Sequence, residues 1–187
     1  MNTSHIDEEQ MIVESFRRGE STAIDKLYSK YANYLTSICA RYVSNDDDLK
    51  DVLQESFIKI FTQIDTFEYR GKGSLKAWIS RIVVNESLQY LRHAKLSLMT
   101  SSDIEPPDLP DEDPDTEGIS PQTMTELLRK LPDGYRAVLN LYVIEGKSHK
   151  EIASLLGIKA DSSASQLHRA KNMLARMIKE LKEACYE

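Results

Sequence analysis

The residues best suited to chemistry lie near the C-terminus, and the chemistry they suit is the reading of nucleic acid. Ser148-His149-Lys150-Glu151 has the form of a capping box, in which a serine hydroxyl and a glutamate carboxylate satisfy free backbone N–H groups reciprocally at a helix start. The helix it opens runs through Ile152, Ala153, Leu155 and Leu156 to Gly157, which can take the left-handed conformation that ends a helix, so that Ile158 folds back. Asp161 or Ser162 is the expected cap of the next helix. There Leu167, Ala170, Leu174, Ile178 and Leu181 recur at helical spacing as a buried stripe, and Ser162, Ser165, Gln166, Arg169 and Asn172 are expected to project the other way. Helix, tight turn and second helix is a helix-turn-helix pattern. In a major groove Gln166 suits adenine edges, Arg169 guanine or phosphate, and the serines phosphate or either kind of base edge. A plain helical hairpin whose polar face meets water has the same spacing. In both readings His149 and His168 face solvent or phosphate, and with no cysteine or carboxylate at ligand spacing no metal is implied.

Phosphate attraction needs local cations, and these are unevenly placed. The 187 residues carry a net charge of -6, yet residues 69–98 hold six Lys and Arg against one acid. Residues 99–118 hold eight acids and no base, and residues 119–187 are net +3. Because affinity for nucleic acid follows basic patches that release phosphate counterions, the acidic total leaves room for DNA contact by residues 69–98 and by the C-terminal part. It argues against indiscriminate coating of DNA.

The elements that must position these groups are helical throughout. Asn45 followed by Asp46, Asp47 and Asp48 places a cap and carboxylates at a helix start, and Leu49, Val52, Leu53, Phe57, Ile60, Phe61 and Ile64 follow on one face. Upstream, Ile24, Leu27, Tyr28, Tyr31, Leu35, Ile38 and Tyr42 make a similar stripe behind the cap candidate Ser21. After the break at Gly71 and Gly73, Ser74 is the expected cap of a helix bearing Leu75, Trp78, Ile79, Ile82, Leu88 and Leu91. A short leading helix over about residues 8–18 completes four. Residues 138–144 have a strand-like composition, but Pro132 in a first turn and Gly146 at an end favour helix. Residues 99–118, with four prolines and almost nothing to bury, read as a linker. The expectation is an all-α protein of two small helical domains, residues 1–98 and 119–187, joined by a flexible acidic linker at 99–118.

Several classes fall away. The longest uncharged apolar run, residues 137–144, is far short of the roughly 20 residues a spanning helix needs, so no membrane insertion is expected. The N-terminus lacks the basic and apolar regions of an export signal, and two distant cysteines, Cys39 and Cys185, fit a reducing, cytoplasmic setting. No catalytic Ser/His/Asp or Cys/His set and no phosphate-binding glycine loop is present, so neither catalysis nor a cofactor is implied. A DNA-binding regulator with a helical sensor domain is one reading open to such a chain, and a recombinase-like enzyme a more distant one.

The run Glu151-Ile-Ala-Ser-Leu-Leu-Gly-Ile158, followed by Ser165-Gln-Leu-His-Arg-Ala-Lys171, resembles the region-4 helix-turn-helix of bacterial sigma-70-type factors, especially the extracytoplasmic-function (ECF) group. Leu131-Pro132, Arg136, Val138-Leu139 and Glu145-Gly146-Lys147-Ser148 resemble the stretch that precedes it. Asp51-Val-Leu-Gln-Glu-Ser-Phe57 is similar to the polymerase-binding helix of region 2, and Phe67, the run from Ser74 to Ile82, Asn85 and Leu91-Arg92 to its minus-10 segment. The resemblance implies a transcription initiation factor that binds core RNA polymerase, directs it to promoter DNA and assists melting. It assigns docking to Asp51, Gln54, Glu55 and Lys59. It assigns minus-10 contact to Phe67, Tyr69, Arg70, Lys72, Ser74, Lys76, Arg81, Asn85 and Arg92, with base capture in the loop at 67–74. Minus-35 reading goes to Ser162, Ser165, Gln166, Arg169 and Asn172. An anti-sigma factor is the implied regulator. The family usually has Thr-Val-Lys where Ser162-Ser163-Ala164 stands and Arg in place of Gln166; Ser163 falls on the inward side, where an apolar contact is expected to be lost. Trp78, on the stripe of its helix, is expected in the core.

Overall fold

All regular elements among the described residues, 7–98 and 114–184 of a computed structural model, are helical. They group into two compact units, the chain up to Ala40 with Asn45–Ser87, and Arg41–Ser44 with the chain from Leu88 onward. Residues 99–113 of the expected linker lie outside the described residues. Its last part is described, and there Asp115 pairs with Lys182 at 2.7 Å. No helix among the described residues is long and apolar enough to cross a membrane.

In the first unit α1 (Glu8–Arg17) starts at Asp7, whose carboxylate accepts from the Glu9 N–H. The second helix, α2 (Ala23–Cys39), begins at Thr22 without a side-chain cap, so Ser21 is not the cap its type suggested. Leu27, Tyr31, Leu35 and Ile38 are buried as the spacing predicts, whereas Ile24 and Tyr28 face out. For α3 (Asp46–Gln63) the expected cap holds: Asn45 Oδ1 accepts from Asp47 N–H at 2.9 Å and Asp48 N–H at 3.1 Å. Three aspartates then oppose the positive helix end, and the cap alone contributes about 1 kcal/mol. A 3-10 turn (Ile64–Thr66) leads toward α4 (Ser74–Leu98). Helix α4 runs from the first unit into the second: Leu75, Ile79 and Val83 are buried in the first, Leu88 and Leu91 in the second, and Trp78 is half-buried.

Small polar residues enter this core with partners. Ser56 returns its hydroxyl to Val52 O at 2.7 Å, and Ser87 to Val83 O at 2.8 Å, which removes the cost of an unsatisfied buried hydroxyl. Cys39, fully buried, lies 3.6 Å from Ser87 Oγ and 4.0 Å from Leu49 O, and burial pushes its thiol pKa up.

The second unit holds α5 (Pro121–Arg129), α6 (Asp133–Val143), α7 (His149–Leu156) and α8 (Ala160–Ala184). Pro132 is the N-cap of α6 rather than a first-turn residue. The capping box of α7 is formed, and Gly157 closes that helix at φ 66°, a value that only glycine adopts cheaply. Ala160 opens α8, two to three residues earlier than a cap at Asp161 or Ser162 requires, so Asp161 sits in the first turn beside the helix's positive end. Helices α5, α6 and α7 all pack on α8.

Candidate nucleic-acid interface

One face of α8 collects four of the expected minus-35 residues. Ser162, Ser165, Gln166 and Arg169 fall within about 100° of helical arc, opposite Leu167, Ala170 and Leu174. Ser165 is exposed and donates to Asp161 O at 2.9 Å; Ser162, Gln166 and Arg169 are half-buried. The Gln166 amide lies over Gly134 at the start of α6, where an added Cβ would stand 3.3 Å from its Oε1.

Asn172 does not join them. It is 6% exposed, with Nδ2 3.1 Å from His168 Nε2, which corrects its expected outward placement. A helix packed by three neighbours buries a wider arc than one stripe, and Ala175 extends that arc toward Asn172.

His149 is corrected as well. Its ring stacks on Tyr142 at 4.9 Å between centroids, and its Nδ1 lies 3.0 Å from Ser163 Oγ, joining α7 to α8. Ser163 is fully buried and, where an apolar contact is missing, a satisfied hydrogen bond stands instead.

In the first unit the segment from Phe67 to Leu75 is held from outside itself. Its glycines, Gly71 at φ 107° and Gly73 at φ 88°, occupy backbone conformations that L side chains rarely adopt. Phe67 packs on Trp78 at 5.0 Å, and its carbonyl accepts from Arg17 Nη2 at 2.9 Å. The Tyr69 hydroxyl donates to Asp7 Oδ2 at 2.6 Å; that bond holds the Asp7 carboxyl below its usual range and pushes the Tyr69 phenol up to about 12. Ser74 Oγ accepts from Arg70 N–H at 3.2 Å.

The start of α4 is therefore capped by a different residue from the Ser74 that the sequence suggested. Glu9, 6% exposed, accepts through Oε2 from the N–H groups of Gly73 at 2.8 Å and Leu75 at 3.2 Å, and through Oε1 from Tyr31 Oη–H at 3.0 Å. A carboxylate in phase with buried Ile12 and Val13 was the signal in the sequence that could have marked it. The bond to Glu9 and burial raise the Tyr31 pKa, burial most.

Around this loop Arg70 is exposed and pairs with Glu68, and Lys72 is exposed. Lys76 lies over the Tyr34 ring at 4.1 Å. Arg81, Asn85 and Arg92 are exposed and share one face of α4.

The face of α3 expected to dock presents Asp51 to solvent, with Gln54 and Glu55 three and four residues after it. Ile58, 47% exposed, continues it, an apolar residue that the polar motif did not bring to notice. Lys59 turns toward α4 and pairs with Glu86 at 2.7 Å, so it is partly withdrawn from that face.

Residues 27–96 match the family model described as Sigma-70 region 2, and residues 122–174 the one described as Sigma-70, region 4. The chain is 31% identical over 185 residues to the ECF RNA polymerase sigma-E factor of Haemophilus influenzae, covering 92% of this chain and 96% of that protein. It is 27% identical over 187 residues to the RNA polymerase sigma-H factor of Pseudomonas aeruginosa, covering 94% and 96%. A solved structure of CnrH in complex with the cytosolic domain of CnrY aligns with 93% of this chain and 99% of that one, at 22% identity and a TM-score of 0.48.

Proposed function

From membership of the ECF RNA polymerase sigma factor family, to which this chain belongs, we propose how its surfaces divide the work of promoter-specific transcription initiation. Residues 1–98 dock on core polymerase through Asp51, Gln54 and Glu55, with Lys59 at the margin. They engage the minus-10 element through Phe67, Tyr69, Arg70, Lys72 and Ser74 in the loop and Lys76, Arg81, Asn85 and Arg92 along α4. Residues 119–187 read the minus-35 duplex through Ser162, Ser165, Gln166 and Arg169. Residues 99–118, acidic and rich in proline, join the two. The partners are core polymerase and promoter DNA in the cytoplasm, an anti-sigma protein regulates access to them, and the chain itself carries out no catalytic step.

The observation that carries the reading is the loop at 67–75. A flipped or unpaired base needs an aromatic or polar pocket with cations nearby, held in one shape before the base arrives. Tyr69 and Phe67 supply rings, Arg70 and Lys72 exposed charge, and anchors outside the loop hold its backbone at Phe67 and Gly73 and the side chain of Tyr69. A regulator that never meets polymerase has no use for such a loop.

In vitro transcription with core polymerase on genomic fragments tests the proposal. Discrete transcripts whose start sites share minus-10 and minus-35 sequences are expected. A chain that binds duplex DNA but neither co-purifies with core polymerase nor yields transcripts would instead be a sensor-type regulator.

A further inference from the structure

We propose that α1 is a splint for the base-capture loop, and that Glu9 is the positioning residue that sets the loop's shape. This rests on the melting role given to the loop above and extends it to a helix that has no part in docking or DNA contact.

The loop contains two glycines at positive φ, and glycine has more conformations to lose than any other residue. Its own sequence therefore favours many shapes, and a single shape must be imposed by contacts. Beyond the packing of Phe67 on Trp78 and the bond from Arg70 N–H to Ser74 within the loop, those contacts come from one helix and its cap. Arg17 holds the Phe67 carbonyl at the start of the loop, Asp7 holds the Tyr69 hydroxyl in the middle, and Glu9 holds Gly73 and Leu75 at the end. Helix α1 is thus bonded to the loop at three successive points.

Glu9 has the largest share. Gly73 and Leu75 carry N–H groups at the start of α4, where no earlier turn of helix supplies acceptors. One buried carboxylate oxygen accepts both, and charge-assisted bonds of this kind are about twice as strong as neutral ones. The other oxygen is held by Tyr31 of α2, which fixes the direction in which the carboxylate points. Loop end, start of α4, α1 and α2 thereby meet at one side chain. Tyr69 is aimed differently. With its hydroxyl engaged by Asp7, its ring is what it can present to a base, and stacking suits an unpaired base of any identity.

The test uses the full chain with core polymerase. It measures permanganate reactivity of unpaired minus-10 thymines, core affinity and the thermal midpoint for Glu9→Ala, Glu9→Gln and Tyr69→Ala. Glu9→Ala is expected to lower the open-complex signal roughly tenfold at unchanged core affinity, the scale of one lost charge-assisted bond. Glu9→Gln should recover most of it, since an amide oxygen can accept from both N–H groups while its nitrogen donates to Tyr31. Wild-type melting by Glu9→Ala beside a defective Tyr69→Ala overturns the splint and leaves the loop reading standing. Wild-type melting by Tyr69→Ala removes the loop reading and the splint with it. A parallel fall in core affinity and melting makes Glu9 a general stabiliser and also overturns the proposal. If Glu9→Ala does not fold, Arg17→Ala combined with Tyr69→Phe decides, because it removes two anchors and keeps the ring: reduced melting with intact core binding supports the splint, and wild-type melting refutes it.

Discussion

At the scale of single residues, Asn172 and Arg169 make the sharpest contrast. Both were expected on the outward face of α8, and only Arg169 is there. Gln166→Ala and Arg169→Ala should each weaken minus-35 duplex binding by roughly 1–3 kcal/mol per lost base contact while leaving core binding intact. Asn172→Ala should change the thermal midpoint and leave promoter preference alone; fluorescence anisotropy on wild-type and altered duplexes separates the two behaviours. The Tyr69–Asp7 bond gives a second prediction at this scale. Tyr69 has its folded pKa raised to about 12, so its contribution to stability is present below its ordinary value, near 10, and is lost as pH rises toward 12. The Asp7 carboxyl is depressed, so its contribution is present above the ordinary carboxylate range and is lost as pH falls through the folded pKa. Between roughly pH 5 and 9 the anchor should be constant. An ultraviolet difference titration against Tyr69→Phe should therefore show one phenol ionising late, and ionisation near 10 would mean that the bond does not hold in solution.

At the scale of elements, α3 has one face in the core and another that, in the proposed reading, docks on polymerase. Val52 and Ile60 face the core while Asp51, Gln54 and Glu55 face out, so Gln54→Ala with Glu55→Ala should reduce core-polymerase affinity with little change in melting temperature. Pull-down and thermal melting measured together check this; retained affinity with lowered stability would place the docking surface elsewhere. The same helix shows what a sequence can carry. Its start was legible because an asparagine cap and three aspartates act on groups two or three residues away. The capping box of α7 and the glycine that ends it were legible for the same reason. The cap of α4 was not, because its acceptor is a carboxylate 64 residues earlier in the chain, and no local rule reaches that far. Nor was the pairing of His149 with Ser163, which depends on how α7 crosses α8. Periodicity gave the centre of each buried stripe and misjudged its edges, as Tyr28 on α2 and Asn172 on α8 show from opposite sides.

At the scale of the whole molecule, charge and length set the terms. The 20 residues 99–118 can span at most on the order of 65–70 Å, which in the proposed reading serves two promoter elements from one chain. Runoff transcription should survive an equal-length Gly/Ser replacement of residues 99–113 and fail when that stretch is halved; a halved chain that works as well as the native one would mean that the two elements are not bound together. Salt should weaken promoter binding steeply, because the basic residues are gathered at 69–98 and in the C-terminal part instead of spread over an acidic whole. One buried group bears on how such a molecule hears its surroundings. Peroxides and disulfides react with a thiolate, and Cys39 is a fully enclosed thiol whose ionisation burial opposes. An oxidant in the medium finds nothing to attack at this position while the helices stay packed. Cys39 is thus no redox antenna, and oxidative stress, if it is to change what this factor transcribes, must be sensed at another atom.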